Sequence, residues 1–157
     1  MTLRSKKILY ICLLCLTLCF IWGNSMLSQT ASGALSKLVA SILGVGGGDG
    51  GEGHFWVRKL AHFTEFAVLG VFSVLLWGCY EYSRRERAAF CVATGLFVPL
   101  VDETIQIFSG RGPSLRDVWI DVGGFCFGCL CVMFLTCLFA RRSRIGEKEG
   151  SQDGQID

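Results

Sequence analysis

An all-α membrane protein of four transmembrane helices is the fold that the sequence predicts, and three observations predict it. Of the 157 residues, 52% are hydrophobic and only 18% charged, against about 25% charged in ordinary globular domains. The mean hydropathy is +0.50. The apolar residues are gathered into four long runs divided by short polar stretches, which is the pattern of bilayer spans and not of a buried soluble core.

The first run, Ile8–Trp22, follows Arg4, Lys6 and Lys7. Its length and cationic flank also fit a secretory signal, with the small residues Thr30–Ala34 after it. The run extends at both ends and three more spans follow, so a retained first span is expected. Leu35, Leu38, Val39, Ile42 and Leu43 then repeat at the spacing of one helix face. That segment is too short to cross a bilayer and predicts a short interfacial helix in the first outer loop. Gly44–Gly53 reads as a flexible linker.

The second span is expected over Leu60–Tyr80, the third over Ala88–Phe108 and the fourth over Asp117–Ala140. Each is near the ~20 residues that cross ~30 Å of hydrocarbon. Pro99 removes a backbone hydrogen bond near Gly95 and should bend the third span. Gly124 and Gly128 form a GxxxG face, with Gly123 beside it, on which helix backbones approach closely. That face can serve packing within the chain or an oligomer. Residues 1–140 thus read as one membrane domain, and 141–157 as a polar cytoplasmic tail without order.

Arg4, Lys6, Lys7, Arg84, Arg85, Arg87, Arg141, Arg142, Arg144 and Lys148 fall on one side of the spans, ten cations in all; Lys37, Arg58, Lys59, Arg111 and Arg116 fall on the other, five. The positive-inside rule places the ten-cation side, and with it both termini, in the cytoplasm of a multi-pass plasma-membrane protein. A net charge of +2 is too small to imply nucleic acid. All nine cysteines lie in or beside apolar runs, where they act as small apolar residues and not as a disulfide framework. Cys126, Cys129 and Cys131 lack the paired cluster of a zinc site. Phe55, Trp56 and Trp119 read as an interfacial aromatic belt.

Charged groups inside a span cost roughly 3 kcal/mol each and are functional candidates by default. His62 and Glu65 share one face of the second span. Asp102, Glu103 and Gln106 lie on the third, Asp117 and Asp121 on one face of the fourth. At about 1.5 Å of rise per residue, all of them fall within roughly 9 Å of the outer ends of their helices. Three spans of alternating direction therefore deliver their polar residues to one outward-facing layer. Acids so placed need compensation. Arg58, Lys59, Arg111 and Arg116 can provide it, as can a shared proton, or a divalent cation with Glu65, Asp102 and Glu103 as candidate ligands. The candidate catalytic groups are His62, Glu65, Asp102, Glu103 and Asp121. Lys59, Gln106, Arg111, Arg116 and Asp117 are the candidate substrate-binding groups. The competing reading is interhelical hydrogen bonding, worth about 1 kcal/mol per bond in a membrane.

Three strings carry a family resemblance: Lys59-Leu60-Ala61-His62-Phe63-Thr64-Glu65-Phe66, Asp102-Glu103-Thr104-Ile105-Gln106, and Gly110-Arg111 followed by Asp117, Asp121, Gly124 and Gly128. With Asn24–Ser28 after the first span, they resemble the VanZ-like membrane protein family over about Ile8–Ala140. The resemblance implies a cell-envelope role, since the family is named for a protein that lowers susceptibility to the glycopeptide antibiotic teicoplanin. It implies no defined reaction. A membrane lipid or cell-wall precursor is the expected partner, either acted on or merely bound. A small proton-linked transporter is the alternative.

Overall fold

The computed structural model of the chain describes residues 2–27, 29–42, 52–110 and 114–153. They form five helices: α1 Leu3–Ser25, α2 Gln29–Ile42, α3 Glu52–Gly78, α4 Arg84–Phe108 and α5 Leu115–Asp153. No strand occurs among the described residues. Among the described residues, four stretches are long and apolar enough to cross a membrane: Leu3–Ser25, Trp56–Gly78, Arg84–Phe108 and Leu115–Arg142. The all-α, four-span expectation holds.

The helices outrun the apolar runs, because backbone hydrogen bonding does not stop where hydrophobicity does. Glu52 and Gly53, expected in the linker, belong to α3; residues 44–51 lie outside the described residues. α5 continues through Asp153, into the stretch that composition reads as a disordered tail. Arg, Lys and Glu are good helix formers and no proline interrupts them. Residues 154–157 lie outside the described set. α4 likewise passes through Pro99 to Phe108. In α2, Leu38 and Ile42 are exposed, so this apolar edge is left uncovered by protein. Leu43 and the side chains of Leu35 and Phe55 are not among those described.

The α3–α4 connection is short and pinned. Ser83 Oγ accepts from Glu86 N at 3.3 Å, and Glu86 Oε2 accepts from Ser83 N at 2.7 Å. This reciprocal capping box starts α4. Around it Trp77 stacks on Phe90 at 4.6 Å and Tyr80 on Tyr82 at 5.4 Å. Lys7 Nζ lies 4.3 Å over the Tyr80 ring, which ties in α1.

α3 and α5 form the most intimate pair. Gly124 lies under the Phe63 carbonyl, Gly128 under that of Ala67, and Gly70 under that of Phe125; a Cβ at any of these would overlap backbone. The GxxxG face is thus occupied within the chain. The apolar core is small: Ile21, Phe66, Leu69, Val98 and Phe125. Phe125 sets its ring against Gly95, where a Cβ would meet it at 2.6 Å. Meanwhile Leu16, Phe20, Phe97, Leu130 and Phe134 are exposed, as are Trp56 and Trp119, while Ser25, His62, Ser73, Asp102, Glu103, Gln106 and Asp121 are buried. Polar inside and apolar outside is the arrangement that a lipid solvent selects. All nine cysteines are free.

Candidate functional site at the polar end of the bundle

α1 and α4 finish, and α3 and α5 begin, at the same end of the bundle. Residues late in the first pair and early in the second therefore share a level, and the buried polar groups concentrate there.

Asp102 is at its centre. Its Oδ1 accepts from Ser25 Oγ at 2.5 Å, across to α1. Its Oδ2 accepts from Gln106 Nε2 at 2.7 Å; four residues on, the amide stands over the acid on the same face of α4. Ser109 Oγ donates to the carbonyls of Ser25 and Gln106, both at 3.0 Å, and fastens the ends of α1 and α4 together. Beside Asp102 are His62 of α3 and Asp121 of α5, with His62 Nδ1 3.6 Å from Asp121 Oδ1. One ligand-type atom from each of His62, Asp102 and Asp121 lies within 4.8 Å of the other two. Asp102 is 0%, Asp121 1% and His62 6% exposed. Two carboxylates and an imidazole this close, and out of water, need a balanced charge. Glu65 completes the layer, its Oε1 accepting from Asn24 Nδ2 at 3.1 Å.

Nearer the end is a rim of paired groups. Lys59 Nζ forms an ion pair with Asp117, and Ser114 Oγ donates to Asp117 Oδ1 at 2.9 Å. Glu103 Oε1 accepts from the backbone N–H of Ser114, just before α5. A carboxylate there meets both an otherwise orphaned amide and the positive end of the helix dipole. Three buried carboxylate oxygens have no hydrogen-bond partner among the described residues: Glu65 Oε2, Glu103 Oε2 and Asp121 Oδ1.

A cavity of about 460 Å³ opens between α1, α2 and α3. Phe20, Leu27, Val39 and Val57 give it apolar walls, and Asn24, Arg58, His62 and Glu65 line it too. Its size is within the ~300–1,000 Å³ range of small-ligand sites.

Of the residues singled out by sequence, His62, Glu65, Asp102, Glu103, Gln106, Asp117, Asp121 and Lys59 are brought to this end of the bundle. Lys59 and Asp117, expected to face a substrate, are paired with each other. Arg116 is exposed on α5. Arg111 lies outside the described residues. Of the candidate metal ligands Glu65, Asp102 and Glu103, Asp102 belongs to the one converging set found among the described residues, whose other members are His62 and Asp121. Glu103 turns instead to the start of α5 and Glu65 to Asn24. Sequence reasoning does not single out Ser25, Asn24, Ser109 or Ser114. Asn24 and Ser25 stand in the stretch after the first span that shares in the family resemblance, and that was their one signal.

A family model described as VanZ/LLP1 matches residues 7–138, a stretch that holds most of α1, all of α2 to α4, most of α5 and every side chain placed in the site above. No curated protein and no solved structure matches the chain.

Proposed function

This chain belongs to the VanZ/LLP1 family, and from that premise we propose that it binds a lipid-linked component of the cell envelope, chain in the groove and head group at the polar end. The observation that carries this reading is the mixed lining of the cavity: Phe20, Leu27, Val39 and Val57 share it with Arg58, His62 and Glu65. An amphiphile needs that pairing. Its hydrocarbon takes the apolar walls, and an anionic head takes the Arg58 guanidinium, a fork suited to phosphate. Glu65 and His62, lining the same cavity, are the groups positioned to move a proton at the head. The cation asymmetry, ten against five, turns the polar end to the extracellular face. There a wall precursor, or a lipoglycopeptide antibiotic that targets one, is within reach.

The test has a molecular and a cellular part. Native mass spectrometry of the chain, extracted in mild detergent from cells that make it, should show a co-purifying lipid that Arg58→Ala depletes. Expression should lower susceptibility to teicoplanin, and Glu65→Gln and Asp102→Asn should abolish that effect at equal membrane abundance. Absence of any retained lipid, or full effect in both variants, refutes the reading. A new lipid species in expressing cells would show turnover, and its absence with retained binding would show recognition alone.

A further inference from the structure

We propose that His62, Asp102 and Asp121 form a binding site for one divalent first-row transition-metal ion, Zn²⁺ by its donor set. Three helices, α3, α4 and α5, each contribute one residue, and the ligand-type atoms already lie within 4.8 Å of one another. Tetrahedral zinc with nitrogen and oxygen ligands at about 2.0–2.2 Å requires roughly 3.4 Å between them, so small side-chain movements close the site. One imidazole and two carboxylates are a borderline donor set that fits zinc, and three protein ligands leave a fourth position open.

A second, independent observation is Asp121. It is 1% exposed, and its Oδ1 accepts no hydrogen bond among the described residues while it faces His62 Nδ1 at 3.6 Å. A buried carboxylate oxygen normally has a partner. An ion between these residues supplies one. It also neutralises two buried carboxylates with a single dication, which matters in a bundle surrounded by hydrocarbon. Asp102 is already dressed as a ligand: Ser25 and Gln106 hold one oxygen each, as outer partners orient metal-binding carboxylates elsewhere. Ion binding here does not rest on the reading of the groove, because it is measured on the chain alone.

The full chain, purified in detergent and stripped with a chelator, is titrated with Co²⁺ as a spectroscopic stand-in for zinc. Saturation near one equivalent is expected, with the visible d–d absorption of low-coordinate cobalt and without the near-ultraviolet charge-transfer band that thiolates give. Zn²⁺ should bleach it. Asp121→Asn and His62→Gln should lose the signal, and Ser25→Ala should weaken binding about 10–100-fold. Wild-type protein that binds no cobalt overturns the assignment whether or not the variants fold. So does a thiolate band, or unchanged binding in both ligand variants. Lipid retained in the groove of a chain that binds no metal sinks the ion and leaves the envelope-lipid reading standing.

Discussion

Asp102 engages both of its oxygens across two helices, so single changes around it have calculable consequences. Ser25→Ala removes the 2.5 Å donor from α1 and leaves the acid in place. Interhelical hydrogen bonds in membranes average about 0.6 and reach about 1.7 kcal/mol, and a loss of about 1 kcal/mol is expected in mixed-micelle unfolding by dodecyl sulfate. The Lys59–Asp117 pair behaves differently, because each charge is mostly buried. Lys59→Met strands Asp117 and should cost about 1.5–3 kcal/mol, whereas Lys59→Met with Asp117→Leu should recover much of that loss in the same assay. Equal losses in the single and double variants would show that the pair is not coupled. The acids and His62 were legible in the sequence because a charge in a span is expensive enough to stand out. Ser25 and Asn24 were not, since small polar residues at a helix end are cheap, and the Ser25–Asp102 contact joins positions 77 apart. No periodicity reports that. The pairing of Lys59 with Asp117 was equally hidden: sequence gives depth along each helix but not which faces turn toward one another.

Helices α3 and α5 are held at backbone contact by glycines, and here the side chain that is missing decides the packing. A methyl group at Gly128 would overlap the Ala67 carbonyl, whereas Gly123 meets nothing nearer than the Phe63 ring at 4.0 Å. Gly128→Ala should therefore part the helices, cost at least the ~1–3 kcal/mol typical of overpacking, and blunt any property that needs Asp121 of α5 beside His62 of α3. Gly123→Ala should be near neutral and so provides the control. The readout is again mixed-micelle unfolding, and similar losses in both variants would contradict the interface. The GxxxG pattern was visible in sequence as a close-packing face, but pattern alone could not choose between a neighbouring span and a second copy. The spans themselves were legible throughout, since each needs about 20 apolar residues in a row and nothing else in the chain has them. Their ends were less so: α5 continues beyond the last apolar run, through Asp153.

The whole molecule places one polar end and one aromatic, cation-rich end on opposite sides of an apolar midsection. Trp77, Tyr80, Tyr82 and Phe90 cluster with Lys7 at the end where α1 begins and α3 meets α4. Arg84, Arg85 and Arg87 belong to that same end. Lys and Arg in short loops resist translocation, and on that ground the proposed orientation keeps this end in the cytoplasm and turns the His62–Asp102–Asp121 cluster outward. A fluorescent protein fused after Asp157 should therefore glow, and alkaline phosphatase fused at the same point should stay inactive. Phosphatase fused after Ser109 should be active. The opposite pattern would put the polar cluster on the cytoplasmic face and remove extracellular wall precursors from its reach. The cause can be tested too. Neutralising Arg84, Arg85 and Arg87 together while adding lysines beside Lys59 should shift part of the population to the inverted orientation, since the cation balance between the loops sets topology. An orientation indifferent to that exchange would mean that something other than the loop charges sets it.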